Sequence, residues 1–399
     1  MAELSGRGRW RLTVRCAALA AAIVLLLPIL PWPAAAMIVP AASPLVMICT
    51  AIATRSLSVA TLVGLPVLIA VLVRRRWFCR WACPTGLLAD RVGSLRACKP
   101  RLRRVPPLGQ WIAIIALVSA CFGYPLLLWL DPLALLSGYV GLCSRSPSMA
   151  GMAAGVGLSL VLVLSLLWPG VWCRRLCPLG GAQDLLAVRP LARRPAAHPA
   201  ATGRWALSRR WFLGAGIAAG WALWVLRPSG SRGPRPLRPP GVCDEKQLGG
   251  RCIRCGNCIR ACPTGILHPD LGDHGLTGLM TPVVRFQQGD PKSYCREDCR
   301  RCTEVCPSGA IARLSLPEKR HARMGLAVVD METCIVNQAE CELCVKACPY
   351  QAIKTGWNEQ TYLVMIDIDA DLCPGCGACQ VVCPTKVKPA IVVVAQPPA

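Results

Sequence analysis

Cys252-Ile-Arg-Cys255-Gly-Asn-Cys258-Ile-Arg-Ala-Cys262-Pro263 is the stretch that decides how this chain is read. Two intervals of C-x2-C followed by C-x3-C-P is the spacing that binds 4Fe-4S clusters. A cube of iron and sulfide needs four thiolates converging from different directions. The tight C-x2-C-x2-C loop wraps three irons, and the fourth cysteine, before a proline, opens a helix that leads away and usually ligates the other cluster of a pair. The motif recurs as Cys295-x3-Cys299-x2-Cys302-x3-Cys306-Pro307, as Cys334-x6-Cys341-x2-Cys344-x3-Cys348-Pro349 and as Cys373-x2-Cys376-x2-Cys379-x3-Cys383-Pro384. The second and third are stretched in their first interval, as by an inserted loop.

Sixteen cysteines in four such quartets are far more specific than the cysteines of a disulfide-stapled domain. Zinc calls for separated C-x2-C pairs, often with histidine, and His268, His274 and His321 stand at no ligand spacing. The sixteen are therefore candidate ligands of about four 4Fe-4S clusters. Two ways of exchanging the fourth cysteines stay open: first with second and third with fourth, or first with fourth and second with third.

Working outward, short β-rich runs at Leu326–Asp330, Tyr362–Ile368 and Ala390–Val394 flank the cysteine loops. They predict small α+β ferredoxin-like units over 243–399, organised largely by their clusters. Before them, residues 227–242 (RPSGSRGPRPLRPPGV) read as a linker.

The composition is split in the same place. Mean hydropathy is +0.44, and 54% of the 399 residues are hydrophobic, high for a soluble protein, while 26 are cysteine. The net charge of +24 suggests nucleic acid, but from Cys243 onward 17 Lys/Arg balance 17 Asp/Glu. The excess lies earlier, in short segments between apolar runs, as in membrane proteins. No basic strip with interleaved aromatics of the nucleic-acid-binding kind is present.

Apolar stretches at about 13–31, 57–73, 110–130 and 151–170 are long enough to span ~30 Å of hydrocarbon, and 211–226 is a shorter fifth. One set of flanks carries 22 Lys/Arg and the opposite loops only Arg55 and Arg145. The positive-inside rule makes the N-terminus cytoplasmic and, with a fifth span, places everything after about residue 227 on the periplasmic side. Ala34-Ala35-Ala36 offers a signal-peptidase-like site, but cleavage there would break an internal repeat.

That repeat pairs Ser43-Pro-Leu, a span and Cys79-Arg-Trp-Ala-Cys83-Pro84 with Asp131-Pro-Leu, a span and Cys173-Arg-Arg-Leu-Cys177-Pro178. Two hairpins in one orientation imply a pseudo-two-fold axis. At i and i+4 each cysteine pair can share a helix face. Together Cys79, Cys83, Cys173 and Cys177 suit a fifth cluster, a redox dithiol, or a structural or metal-assembly role. The Ser43 and Asp131 turns, at the expected outer ends of spans, are weighed as a quinone site against simple helix boundaries. Cys49 and Cys143, also outward, are weighed as a disulfide; Cys16, Cys98, Cys121 and Cys243 read as small buried hydrophobes.

No C-x-x-C-H, dinucleotide-binding glycine loop or P-loop is present, and no histidine lies in a span. No catalytic residue is assigned. Ser208-Arg209-Arg210-Trp211-Phe212-Leu213-Gly214 before the fifth stretch has the form of a twin-arginine export signal. Clusters are assembled in the cytoplasm, so a cluster-bearing domain must cross the membrane already folded.

On these motifs residues 1–200 resemble the NapH/MauN type of membrane iron–sulfur protein. Residues 205–399, with the twin-arginine-like leader (201–226 read as an anchor helix) and four quartets, resemble the NapG/MauM type of exported polyferredoxin, so the chain looks like the two fused head to tail. The resemblance implies a membrane all-α half of four to five helices joined to a periplasmic ferredoxin, relaying electrons between quinol and a periplasmic oxidoreductase or cytochrome. An accessory role, as electron donor in maturing a periplasmic metalloenzyme, is the alternative. NapH-type proteins usually carry ferredoxin quartets of their own after the spans; here those are missing.

Overall fold

The computed structural model describes residues 6–27, 32–96, 106–143, 149–187, 214, 235–242, 244–275, 278–360 and 362–395. The chain divides into two compact units. The first comprises Met1–Ser229, Lys246–Cys255 and Pro307–Gly309; the second comprises Gly230–Glu245, Gly256–Cys306 and Ala310–Ala399.

The first unit is helical: α1 (Gly6–Leu26), α2 (Ile38–Ala41), α3 (Pro44–Thr54), α4 (Val59–Val73), α5 (Trp77–Trp81), α6 (Pro84–Ser94), α7 (Leu108–Cys121), α8 (Pro132–Cys143), α9 (Met149–Leu167) and α10 (Pro178–Leu186). The sequence repeat is matched element for element. Helices α3 and α4 lead through α5 into α6; α8 and α9 lead through a π turn, Trp172–Leu176, into α10. Both connecting turns close with a bond to the carbonyl five residues back, from Cys83 N–H to Phe78 O (2.9 Å) and from Cys177 N–H to Trp172 O (2.8 Å). Four of these helices begin with proline at the first position, after Ser43, Cys83, Asp131 and Cys177. Proline suits that position because the first N–H has no helical partner and its φ is already set. Helices α7 and α10 cross at backbone contact: a Cβ on Gly181 would lie 2.3 Å from the Gly109 backbone.

Four expected spans are shorter or broken here. The stretches 13–31, 57–73, 110–130 and 151–170 correspond to α1, α4, α7 and α9, of 21, 15, 14 and 19 residues. The third ends at Cys121, because Gly123 and Leu127 take positive φ (78° and 60°). Among the described residues no single helix is both long and apolar enough to cross a membrane; Ala34–Ala41 and Pro44–Thr54 pass together but are bent by 103°. The stretch 211–226 and the twin-arginine-like motif lie outside the described residues, apart from Gly214.

In the second unit three two-stranded antiparallel sheets hold the cysteine loops: β1 (Leu267–Pro269) with β2 (Pro282–Val284), β3 (Leu326–Val329) with β6 (Ile391–Val394), and β4 (Ile353–Asn358) with β5 (Leu363–Ile368). The expected runs 326–330, 362–368 and 390–394 are β3, β5 and β6. One arrangement occurs twice. Strand β3, the hairpin β4–β5 and strand β6 frame the third and fourth quartets. A bridge between Val242 and Ile311 and the hairpin β1–β2 frame the first and second. The expected linker 227–242 is therefore corrected in its second half. Gly241 O accepts from Ala312 N–H (2.7 Å), Leu237 O from Val284 N–H (2.8 Å), and the buried Arg238 binds Thr281 Oγ1 (3.0 Å) and Glu245 Oε2 (2.9 Å). Residues 235–242 are packed against the unit rather than forming a tether, because backbone carbonyls and one guanidinium find partners.

Candidate iron-sulfur sites

The helices around the quartets are one turn long: α11 (Asn257–Ala261), α12 (Arg301–Glu304), α13 (Leu343–Ala347) and α14 (Ala378–Val382). In the first and fourth quartets a glycine separates the second and third cysteines. Gly256 and Gly377 lie at φ 69° and 83°, turning the loop into α11 and α14. A Cβ on Gly377 would meet the Phe286 ring at 2.3 Å.

Three cavities are each ringed by four thiol-bearing residues. One holds Cys295, Cys299 and Cys302 of the second quartet with Cys262 of the first, around about 380 Å³ of empty space. A second holds Cys373, Cys376 and Cys379 of the fourth with Cys348 of the third, around about 280 Å³. The last holds Cys334, Cys341 and Cys344 of the third with Cys383 of the fourth, around about 370 Å³. So Cys262, Cys348 and Cys383, each before a proline, reach the neighbouring loop, which pairs the first quartet with the second and the third with the fourth. Cys252 and Cys255 belong to the first unit, and Cys258 and Cys306 to the second.

Among the described residues no three His, Cys, Asp or Glu side chains close on one point as a single metal ion needs; the thiols surround a volume instead. Every described cysteine is a free thiol. Burial pushes Cys295 and Cys344 up to about 11 and Cys376 up to about 12, and neighbouring cysteines add to the shift. Cys302 and Cys379 move further the same way for the same reason. Such crowded thiols ionise together only when cationic iron balances them, so the donor set suits a cluster. Cys383 differs: against some desolvation, the Thr385 hydroxyl and backbone amides hold it below the usual thiol range.

The cysteines before proline also have polar partners. Cys306 Sγ accepts from Ile311 N–H and Cys348 Sγ from Ala352 N–H, both at 3.4 Å, while Cys262 and Cys383 meet Thr264 and Thr385 Oγ1 at 3.5 and 3.2 Å. Thr264 and Thr385 are readable afterwards as Cys-Pro-Thr. A backbone hydrogen bond, Cys295 N–H to Cys376 O (2.9 Å), places the second-quartet and fourth-quartet sites side by side. Tyr350 lies within electrostatic reach of both cysteines.

In the helical unit the two Cys-x3-Cys pairs do come together. Cys177 lies within electrostatic reach of Cys79, Cys83 and Cys173. Cys83 and Cys177 are helix N-caps whose sulfurs accept from Gly86 N–H (3.3 Å) and Gly180 N–H (3.5 Å). The repeat is broken at one position. Gln183, fully buried, donates from Nε2 to Cys79 Sγ (3.1 Å), and the equivalent residue is Ala89. Equivalent Asp90 and Asp184 are tied to Arg15 (2.8 Å) and to Arg75 and Arg76 (2.8 Å each).

Ser43 and Asp131 are not exposed ends of helices. Both are buried N-caps, accepting from Val46 N–H (3.4 Å) and Leu133 N–H (3.0 Å), and Ser43 Oγ donates to Asp131 Oδ2 at 2.6 Å. The two halves of the repeat are joined there. Cys49 is a buried free thiol, whereas Cys16 and Cys121 are exposed rather than packed inside. Cys98, Cys243 and the side chain of Cys143 lie outside the described residues.

Comparison with known proteins agrees with this geometry. The profile of a 4Fe-4S dicluster domain matches residues 251–310, 294–352 and 334–387, and that of a 4Fe-4S binding domain matches 56–103 and 150–195. The latter two ranges contain the Cys-x3-Cys-Pro motifs. These matches and the thiol-ringed cavities define a ferredoxin-type 4Fe-4S protein. The methylamine utilization ferredoxin-type protein MauM of Methylophilus methylotrophus is 37% identical over 166 residues, 40% of this chain and 71% of its own. The ferredoxin-type protein NapG of Escherichia coli is 37% identical over 191 residues, 44% and 76%. The ferredoxin-type protein NapF of E. coli is 30% identical over 152 residues, 38% and 81%. The chain belongs to the NapG/MauM family of ferredoxin-type proteins. No solved structure matches it.

Proposed function

We propose that this chain is a membrane-anchored relay that carries single electrons between the quinone pool and a periplasmic oxidoreductase or cytochrome. The observation that carries the reading is the set of three cavities ringed by cysteines exchanged between neighbouring quartets. Clusters bound by these residues supply one-electron chemistry, with potentials set by ligation, burial and hydrogen bonds to sulfur.

The chain's own residues arrange the sites in a line. Exchanged cysteines link the sites of the third and fourth quartets. The bond from Cys295 to Cys376 joins the fourth-quartet site to that of the second, so the site of the third quartet stands at one end. Cys79, Cys83, Cys173 and Cys177 are the candidate ligands of a fifth cluster, supported by their convergence and by the match to a 4Fe-4S binding domain.

Placement in the cytoplasmic membrane is supported by outward apolar stripes. Leu62, Leu65, Ile69 and Val73 are exposed along α4, and Val156, Leu160, Val163 and Leu167 along α9. Side chains at such spacing share one face, and in water these stripes would be costly. The basic flanks and the twin-arginine-like motif support a cytoplasmic N-terminus and a periplasmic ferredoxin unit.

Iron and acid-labile sulfide analysis of the membrane-purified protein, with EPR after a quinol analogue and then dithionite, tests the reading. About sixteen irons per chain are expected for four clusters, or about twenty with the fifth, and signals should appear under quinol. Reduction by dithionite alone would remove quinol as donor.

A further inference from the structure

Charge in the ferredoxin-type region is segregated. Between Asp330 and Asp371 stand eight Asp/Glu against Lys346 and Lys354 only, whereas the remainder of 243–399 has nine acids against fifteen bases. All eight acids are exposed. This acidic segment is the third quartet with its inserted loop and the β4–β5 hairpin.

The same segment carries exposed apolar side chains. Trp357 (61% exposed), paired with Val364, stands on the same face of the hairpin as Ile366, with Tyr362 (73%) near the tip, while Leu363 and Met365 are exposed on the other face. The inserted loop is fixed to this hairpin. Asn337 Nδ2 donates to Val364 O (3.0 Å), and Asn337 Oδ1 accepts from Val364 N–H (2.8 Å), so the side-chain amide pins the loop's short helical turn to the edge of β5. Leu343, 48% exposed, lines the third-quartet cavity with Ile366, on the face that carries Trp357.

The site beneath differs from the other two in the exposure of its ligands. Cys334, Cys341, Cys344 and Cys383 are all partly exposed, whereas each of the other two cavities includes a buried cysteine. It is also an end of the line of sites.

We propose that the inserted loop 335–340, Leu343 and the β4–β5 hairpin form a docking face for a soluble redox protein with a basic surface. The inference rests on the relay reading and adds the port and the chemistry of the partner to it. Apolar side chains supply short-range contact and the acidic ring steers a basic partner over it, the arrangement that speeds encounter and fixes register. The same acids are repelled by anionic headgroups, which favours an aqueous partner over the lipid surface. In the transfer, the partner's oxidised centre gains one electron, the site beneath loses one, and the quinol of the relay supplies it.

The test uses the full-length protein in detergent, with two probes: ferricytochrome c, a basic haem protein, and its acidic lysine-succinylated form. Binding is measured across ionic strength, with iron content and EPR recorded for each sample. The wild type should bind the basic probe, more weakly as salt rises, and not the succinylated one. The triple variant Glu332→Lys, Glu340→Lys, Glu359→Lys should keep its iron and lose about tenfold or more in affinity at low salt. Trp357→Ser should lose affinity at high salt too. A triple variant with full iron and unchanged affinity overturns the docking face, as does a wild type that binds both probes alike. A wild type without clusters overturns the relay reading itself, and iron analysis separates that failure from the first.

Discussion

The two units hold their cysteines in opposite ways. In the helical unit Cys83 and Cys177 cap α6 and α10, helices of 11 and 9 residues packed among eight others. In the ferredoxin-type unit the ligand loops lie between helices of four or five residues and two-stranded sheets. A single turn of helix does not persist in water, and an isolated pair of strands is marginal at best. Thiols in the first unit decorate a scaffold that packing already fixes. In the second the bound group is itself the centre of the core: Cys373 and Cys379 are packed with Ala327, Ile353, Ile366 and Ile391.

Iron removal exposes this contrast most strongly. Chelation under reducing conditions should abolish amide protection across 257–395 while α1, α4, α7 and α9 keep theirs, because cluster binding and folding are coupled in the second unit alone. Hydrogen exchange with peptide-level mass spectrometry checks it. Retained protection of β3, β5 and β6 in iron-free protein would mean that the sheets stand without the cofactor.

Next in size is the effect of single ligands. Cys302→Ala should remove about four irons per chain. Cys262→Ala should remove the same four although it belongs to the other quartet, so the double variant loses no more than either single one. Cys258→Ala combined with Cys302→Ala should remove about eight. In the helical unit Cys79→Ala with Cys173→Ala should cost about four irons and leave the helices intact; unchanged iron there would reduce those thiols to a structural role.

Much of this contrast was legible in the sequence. C-x2-C-x2-C-x3-C-P fixes a loop locally, so the twelve cysteines that ring the three cavities and three of the six described strands could be read without coordinates. The repeat was equally plain, because Cys-x3-Cys-Pro demands a helix start at the proline. What escaped was non-local. Which quartets exchange cysteines depends on β3 pairing with β6 and Val242 with Ile311, across 60 residues or more. Arg238 looked like linker because its partners Thr281 and Glu245 carry no motif. Ser43 and Asp131 lie 88 residues apart, and their spacing from Pro44 and Pro132 announced helix starts, not their mutual contact.

That contact gives the third prediction. Asp131 joins the halves of the repeat through Ser43 and caps α8 through Leu133 N–H. Asp131→Ala leaves the buried Ser43 hydroxyl without this acceptor and α8 without its cap, and should cost about 1–3 kcal/mol. Asp131→Asn keeps an oxygen to accept from Leu133 N–H and an amide N–H that can donate to Ser43 Oγ, and should cost less than the alanine variant. Denaturation of the full chain in detergent, followed by helical ellipticity, measures both. Equal losses would show that charge, not the hydrogen bonds, holds the halves together. No comparable substitution exists in the ferredoxin-type unit, where the joining bond from Cys295 to Cys376 is made by backbone.

The smallest effect concerns how each unit tunes its sulfurs. Cys306 and Cys348 accept from the backbone amides of Ile311 and Ala352, which side-chain substitution cannot remove. Cys79 accepts instead from the side chain of Gln183, so Gln183→Leu deletes one N–H to sulfur bond in nearly constant volume. A donor to sulfur favours the reduced, more negative state, and its loss therefore lowers the midpoint potential. A net hydrogen bond of about 0.5–1.5 kcal/mol corresponds to roughly 20–60 mV for one electron. EPR-monitored titration of full-length protein should show one signal moving down by that amount while those of the ferredoxin-type unit stay in place. If no signal moves, the thiols around Cys79 hold no redox centre, and the comparison between the units becomes one between a scaffold and an electron carrier.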